Sequence, residues 1–235
     1  PVLGGYAAVW SVAMVVFQGL MLAGYLYAHL LSRFLSLRAA ILVHAIVVAV
    51  AALWLPITIA SGFSTPPDSG LSLWLVGLFL ASVGAPCFAL AANAPLLQAW
   101  FARGGSGNAY LLYRASNLGS FIGLLAYPFL IEPLFGLSMQ GRLWGLGFAV
   151  LAFGLVASGL LTLRAPTAER QIANPSAALR VTWNSRLIWL ALGFIPSGLL
   201  VAVTANIATD VASGPYLWIL PLALYLLTFV FAFSD

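Results

Sequence analysis

Lysine is absent from this 235-residue chain, and charge of either sign is scarce: nine arginines and five acids make up 6% of the residues. Soluble domains carry about one-quarter charged residues, so a water-exposed globule is excluded. The single cysteine, Cys87, excludes an intrachain disulfide framework and a cysteine-based metal cluster. Nucleotide motifs are missing too. The G-G-S-G at 104–107 has neither the length nor the Lys-Ser/Thr ending of a phosphate-binding loop, and no Ser-His-Asp grouping sits in a nucleophile elbow. Catalysis confined to this chain is not expected, no cofactor or metal is called for, and the arginines are too sparse for a nucleic-acid surface.

What the chain has is apolar length: 63% of its residues are hydrophobic. A helix needs about 20 mostly apolar residues to cross a hydrocarbon core of about 30 Å, whereas barrel strands would alternate over about 10. The long unbroken runs therefore predict an all-α transmembrane bundle of seven spans, near 6–31, 39–60, 71–101, 109–134, 143–164, 187–209 and 216–233. Turn-rich stretches at 61–70, 103–108 and 210–215 separate them. Trp54, Trp74, Trp144, Trp183 and Trp218 sit where interfacial anchors are expected. The whole of 1–235 reads as one membrane domain. It starts at Pro1 without methionine and stops at Asp235 directly after an apolar run, so it is expected to belong to a longer polypeptide.

Arginine in short loops is retained on the cytoplasmic side. The odd-numbered connections hold Arg33, Arg38, Arg103, Arg164, Arg170, Arg180 and Arg186, and the even-numbered ones only Arg142. The N-terminus is thus expected outside and the C-terminus inside. Residues 165–186 form a basic cytoplasmic loop in this scheme, resting on anionic headgroups or receiving a cytoplasmic partner.

Ionisable residues inside spans are costly and mark candidate sites. Arg114 and Glu132 lie on one span about 27 Å apart by helical rise, so they mark opposite ends and cannot pair within one helix. Arg114, with Asn117 on its face, falls on the inner side with His29, His44, Asn93 and Gln98. Either Arg114 reaches out to headgroups or these groups form an inner polar pocket or anion site. On the outer side, Glu132 precedes Pro133, Asp210 follows Asn206 by one turn, and Arg142 is the lone cation. Arg142 either neutralises the acids or leaves an outward cation or proton site. Gly19 and Gly24, like Gly119 and Gly123, have the spacing that lets helices approach closely.

Several blocks together resemble the membrane domain of bacterial spermidine synthase-like proteins, also described as fused transporter/spermidine synthases. They are A-V-W-S-V-A-M-V-V-F-Q (8–18), G-Y-L-Y-A-H (24–29), Y-R-A-S-N-L-G-S (113–120), A-Y-P-F-L-I-E-P (126–133), I-P-S-G-L-L (195–200), T-D-V-A (209–212) and L-W-I-L-P-L-A-L-Y-L-L-T-F (217–229). Asn206 departs from the pattern, standing where family members often carry His. The resemblance implies a helical region of the bacterial cytoplasmic membrane, followed by a cytoplasmic aminopropyltransferase-like domain that this chain lacks. The expected function is a membrane anchor or scaffold for such a domain, or a subunit of a larger membrane complex, with lipid and other membrane subunits or a cytoplasmic domain as partners. The alternative is a secondary transporter of a small cation or polyamine.

Overall fold

The computed structural model describes residues 7–103, 110–164, 182–207 and 215–232. The described chain is all-α. Its helices are α1 (Ala7–Phe34), α2 (Leu37–Ala51), α3 (Leu71–Phe79), α4 (Ala85–Arg103), α5 (Tyr110–Ala126), α6 (Glu132–Leu134), α7 (Leu137–Arg164), α8 (Trp183–Asn206) and α9 (Pro215–Ala232). A 3-10 turn, Ala52–Trp54, extends α2, while π-helical turns join α3 to α4 at Leu80–Gly84 and α5 to α6 at Tyr127–Ile131. Seven rods result, six of them long and apolar enough to cross a membrane and the seventh a shorter apolar helix. This is a multi-pass helical membrane protein.

Both π turns have the same local cause. Proline cannot donate to the residue four positions back, and its ring crowds that carbonyl. The carbonyls concerned are those of Ser82 for Pro86 and Phe129 for Pro133, and each lies within a π turn. Widening the helix by one residue relieves the clash and keeps the rod continuous. Pro56 acts differently: the second span, expected to reach residue 60, leaves helical geometry after Trp54, and an irregular segment follows. At the α1–α2 turn, Ser36 caps α2, its hydroxyl accepting from Ala39 N at 3.3 Å. Gly70, at φ +71°, turns the chain into α3 in a conformation that other residues rarely adopt.

The helices group into two compact units. The first holds α1 to α4 and α7, the second α5, α6, α8 and α9. In the first, α4 is the central rod, packing on α1, α2 and α7. Ala89, Ala92, Leu96 and Trp100 are 0–1% exposed along it. Close approach of α1 is set at Gly24, where an added Cβ would stand 2.8 Å from Ala91 Cβ and 3.1 Å from backbone atoms of Phe88 and Ala92. Paired contacts fix the directions. His44 meets Asn93 and Trp54 meets Ala81, so α2 runs against α4, while Phe17 meets Phe79 and Gly24 meets Ala91, so α1 runs parallel to the α3–α4 rod. A Cβ at Gly159 would touch Ile41, which places the C-terminal half of α7 beside the N-terminal half of α2. Arg33, Arg38, Arg103 and Arg164 therefore share one end of this unit.

In the second unit α5 and α8 both pack on α9. Tyr113, Phe229 and Tyr225 form a ring series, with centroids 5.9 and 4.9 Å apart. Thr182 caps α8, its hydroxyl accepting from Ser185 N at 3.2 Å. Large apolar side chains along α8 are exposed on every face: Leu187, Ile188, Trp189, Leu190 and Leu192 among them. In water such a surface would drive association, whereas in lipid it is the expected outer face of a span.

Candidate functional site

The polar groups that the first unit gathers in its interior are uncharged. His44 is fully buried on α2, and its Nε2 lies 2.9 Å from Asn93 Oδ1 on α4. Since a carbonyl oxygen only accepts, the ring carries its proton on Nε2 and donates, leaving Nδ1 with a free lone pair. Two aromatic side chains complete the group. Tyr27 from α1 stands 5.7 Å from the imidazole, centroid to centroid, and Trp100 from α4 meets it edge-on at 6.4 Å. Phe88 closes the far side of Tyr27 at 5.3 Å.

Four buried polar atoms here have no hydrogen-bond partner: Tyr27 OH, His44 Nδ1, Asn93 Nδ2 and Trp100 Nε1. Leaving a buried donor or acceptor unmet costs about 1–3 kcal/mol each, so four in one cluster is a concentrated expense of stability. Native interiors hold few such groups, and each calls for an explanation. The cluster sits toward the arginine-bearing end. Trp100 is one turn from Arg103, His44 is about 9 Å from Arg38 along α2, and Asn93 is about 15 Å from Arg103 along α4.

One recess of the first unit touches this seam and another lies apart from it. A groove of about 360 Å³ between α4 and α7 has Asn93, Leu97, Gly147, Leu151, Gly154 and Ser158 among its walls. A pocket of about 560 Å³ lies farther along, where the irregular segment after α2 meets the π turn before α4. There Trp54 Nε1 donates to Ala81 O at 2.8 Å, and Ala60 N donates to Ser82 Oγ at 3.0 Å.

The inner polar residues named from sequence separate as follows. His44 and Asn93 come together, Gln98 is half-buried on α4, and His29 is exposed on α1. Arg114 and Asn117 belong to the second unit, where Asn117 Nδ2 donates to Tyr113 O at 2.8 Å. Of the outer set, Glu132 is exposed in the second unit, Asn206 is exposed near the end of α8, and Arg142 is exposed on α7 in the first. Asp210 lies outside the described residues, as do Arg170 and Arg180 of the basic loop. Arg186 stands in the first turn of α8 with its guanidinium 4.9 Å from the Trp183 ring, a cation–π contact. Of the four glycines, Gly24 forms a helix contact, whereas a Cβ at Gly19, Gly119 or Gly123 meets nothing within 4 Å.

Tyr27 and Trp100 were not picked out by sequence reasoning, although a signal existed for one of them. Ala89, Ala92, Asn93, Leu96 and Trp100 recur at helical spacing, so one polar residue lies on the most buried stripe of α4. Tyr27 carries no such signal, since α1 exposes apolar side chains on several faces.

No family model, curated protein or solved structure matches the chain. The reading of the site therefore stands on its own geometry.

Proposed function

We propose that this chain is the membrane-anchoring and scaffold domain of a spermidine synthase-like protein, or a subunit of a larger membrane complex, in a bacterial cytoplasmic membrane. The observation that carries this reading is the placement of charge and apolar surface. Apart from Arg114, half-buried in the second turn of α5, the described charges stand at helix ends, in connections or on exposed faces, while the most hydrophobic stretch of α8 has none of its residues buried. A helix of that kind is a face for lipid or for another membrane subunit. Positive-inside asymmetry supports a cytoplasmic C-terminus, which suits an anchor for a soluble domain.

A carrier of cations or polyamines requires oxygen ligands, preferably acidic, along a path through the bundle. Among the described residues the acids are Asp68, in the connection after α2, and Glu132, in the second unit; both are exposed. Among the described residues no acid contacts the buried cluster at His44, so the cluster as described offers a cation no carboxylate. The discriminating experiment is uptake by vesicles containing the reconstituted protein, under a proton gradient. The scaffold reading predicts no accumulation of spermidine or divalent cations beyond empty vesicles. Uptake that is lost on Glu132→Gln or Asp210→Asn would replace it with the transporter reading.

A further inference from the structure

The first unit has a further recess, of about 300 Å³, between α2 and α7. Ala45, Ala49 and Ala52 stand in one wall and Phe153, Leu155 and Val156 in the other, and every lining side chain is apolar. The alanines leave the space, since longer side chains in that row would fill it. The α4–α7 groove differs in having Asn93 and Ser158 in its walls, which suits a hydrocarbon occupant less well.

Each of the two helices carries an arginine at the same end of this recess. Ile41 packs on the backbone at Gly159. By helical rise, Arg38 lies about 4.5 Å past Ile41 and Arg164 about 7.5 Å past Gly159, in the same direction. Register ties both to the walls. Arg38, Ala45 and Ala52 recur every two turns, with Ala49 three turns from Arg38, so this arginine heads the alanine row. Arg164 is three turns from Phe153 and shares its side of α7. Both arginines are exposed, and among the described residues no carboxylate pairs with either. Asp68, the one described acid of this unit, lies in the connection at the far end of α2.

Depth matches a lipid. The recess begins about 10 Å from Arg38, at Ala45, and ends about 21 Å from it, at Ala52. One leaflet of a hydrocarbon core of about 30 Å is about 15 Å deep. Leu42 and Leu160, both exposed, lie between the arginines and the recess and continue its apolar surface. A molecule that suits all of this has a negative head at the arginines and a single apolar chain running away from them.

We infer that the α2–α7 recess is a binding site for an anionic phospholipid of the surrounding membrane. Arg38 and Arg164 hold the phosphate, and one acyl chain lies against Ala45, Ala49 and Ala52. Basic sites between membrane helices select anionic headgroups in this way. A zwitterionic lipid brings its own cation to the arginines, so a net negative headgroup is preferred. The site does not rest on the scaffold reading, and failure of either leaves the other standing.

The test uses the complete protein, freed of lipid in a non-ionic detergent and titrated with phosphatidylglycerol or with phosphatidylcholine of the same chains. Native mass spectrometry reads the dissociation constant of the first lipid bound. Phosphatidylglycerol should bind more tightly. Arg38→Gln and Arg164→Gln should each weaken it by about fivefold, and the pair by about thirtyfold. Ala49→Trp keeps every charge and fills the recess, so it should weaken both lipids. Arg142→Gln, which removes an exposed cation near the other end of α7, should change nothing. Equal affinity for the two lipids, or arginine variants that bind like wild type, overturns the proposal. So does Arg142→Gln weakening phosphatidylglycerol as much as Arg38→Gln, since the effect is then one of net charge alone. Ala49→Trp binding like wild type overturns the placement of the chain in the recess.

Discussion

Replacing His44 by Leu removes the donor to Asn93 Oδ1 and leaves the amide, already unmet at Nδ2, without any partner in the interior. The cost of a newly orphaned buried carbonyl is about 1–3 kcal/mol. Asn93→Leu does the reverse, stranding both imidazole nitrogens, and should fall in the same range. In the double variant neither orphan exists. Leu copies the branching of Asn and fills much of the imidazole volume, so the pair of substitutions should destabilise by less than the two single effects added. Interhelical hydrogen bonds in membranes couple by about 0.6 kcal/mol on average and up to about 1.7 kcal/mol. Full burial at this seam places the expected coupling in the upper part of that range. Equilibrium unfolding by increasing mole fraction of dodecyl sulfate, followed by far-ultraviolet circular dichroism, yields the four free energies of the cycle. Effects that simply add, to within about 0.3 kcal/mol, would refute the view that His44 and Asn93 form one buried unit.

Gly24→Val should destabilise by about 1–3 kcal/mol in the same assay, because the new side chain meets the backbone of α4, which cannot swing aside. Gly147→Ala, where a Cβ has open space, should stay within about 0.5 kcal/mol of wild type. Trp54→Phe removes the donor to Ala81 O at the π turn, with an expected loss of about 0.5–1.5 kcal/mol; an unchanged midpoint would show that this bond does not hold the turn. Glu132→Gln, on an exposed side chain, should alter stability by no more than about 0.5 kcal/mol, and a larger loss would reveal a structural partner for it.

The spans were legible in the sequence because lipid demands long apolar runs and tolerates few exceptions. Residues 71–101 illustrate both the strength and the limit of that signal. Their hydropathy announced one rod, yet only the crowding of Ser82 by Pro86 accounts for its π turn, and a hydropathy pattern contains no such term. Pro56 likewise ends the second rod six residues before its apolar run does. The candidate site was visible in part. His44 and Asn93 drew attention as polar residues in spans, but their pairing depends on the register of α2 against α4, which is set by packing at distant points. Tyr27 and Trp100 look like ordinary aromatic residues of a span until their neighbours are known. Arg114 was grouped with His44 by depth alone; it belongs to the second unit and His44 to the first.

Extraction of the complete gene product from its native membrane in a mild detergent or a lipid-retaining polymer, followed by native mass spectrometry, tests the scaffold reading most directly. The account predicts a particle in which this membrane domain is joined to a soluble aminopropyltransferase-like domain or bound at fixed stoichiometry to another membrane subunit. A solitary monomer without a soluble domain, carrying only lipid, would contradict it.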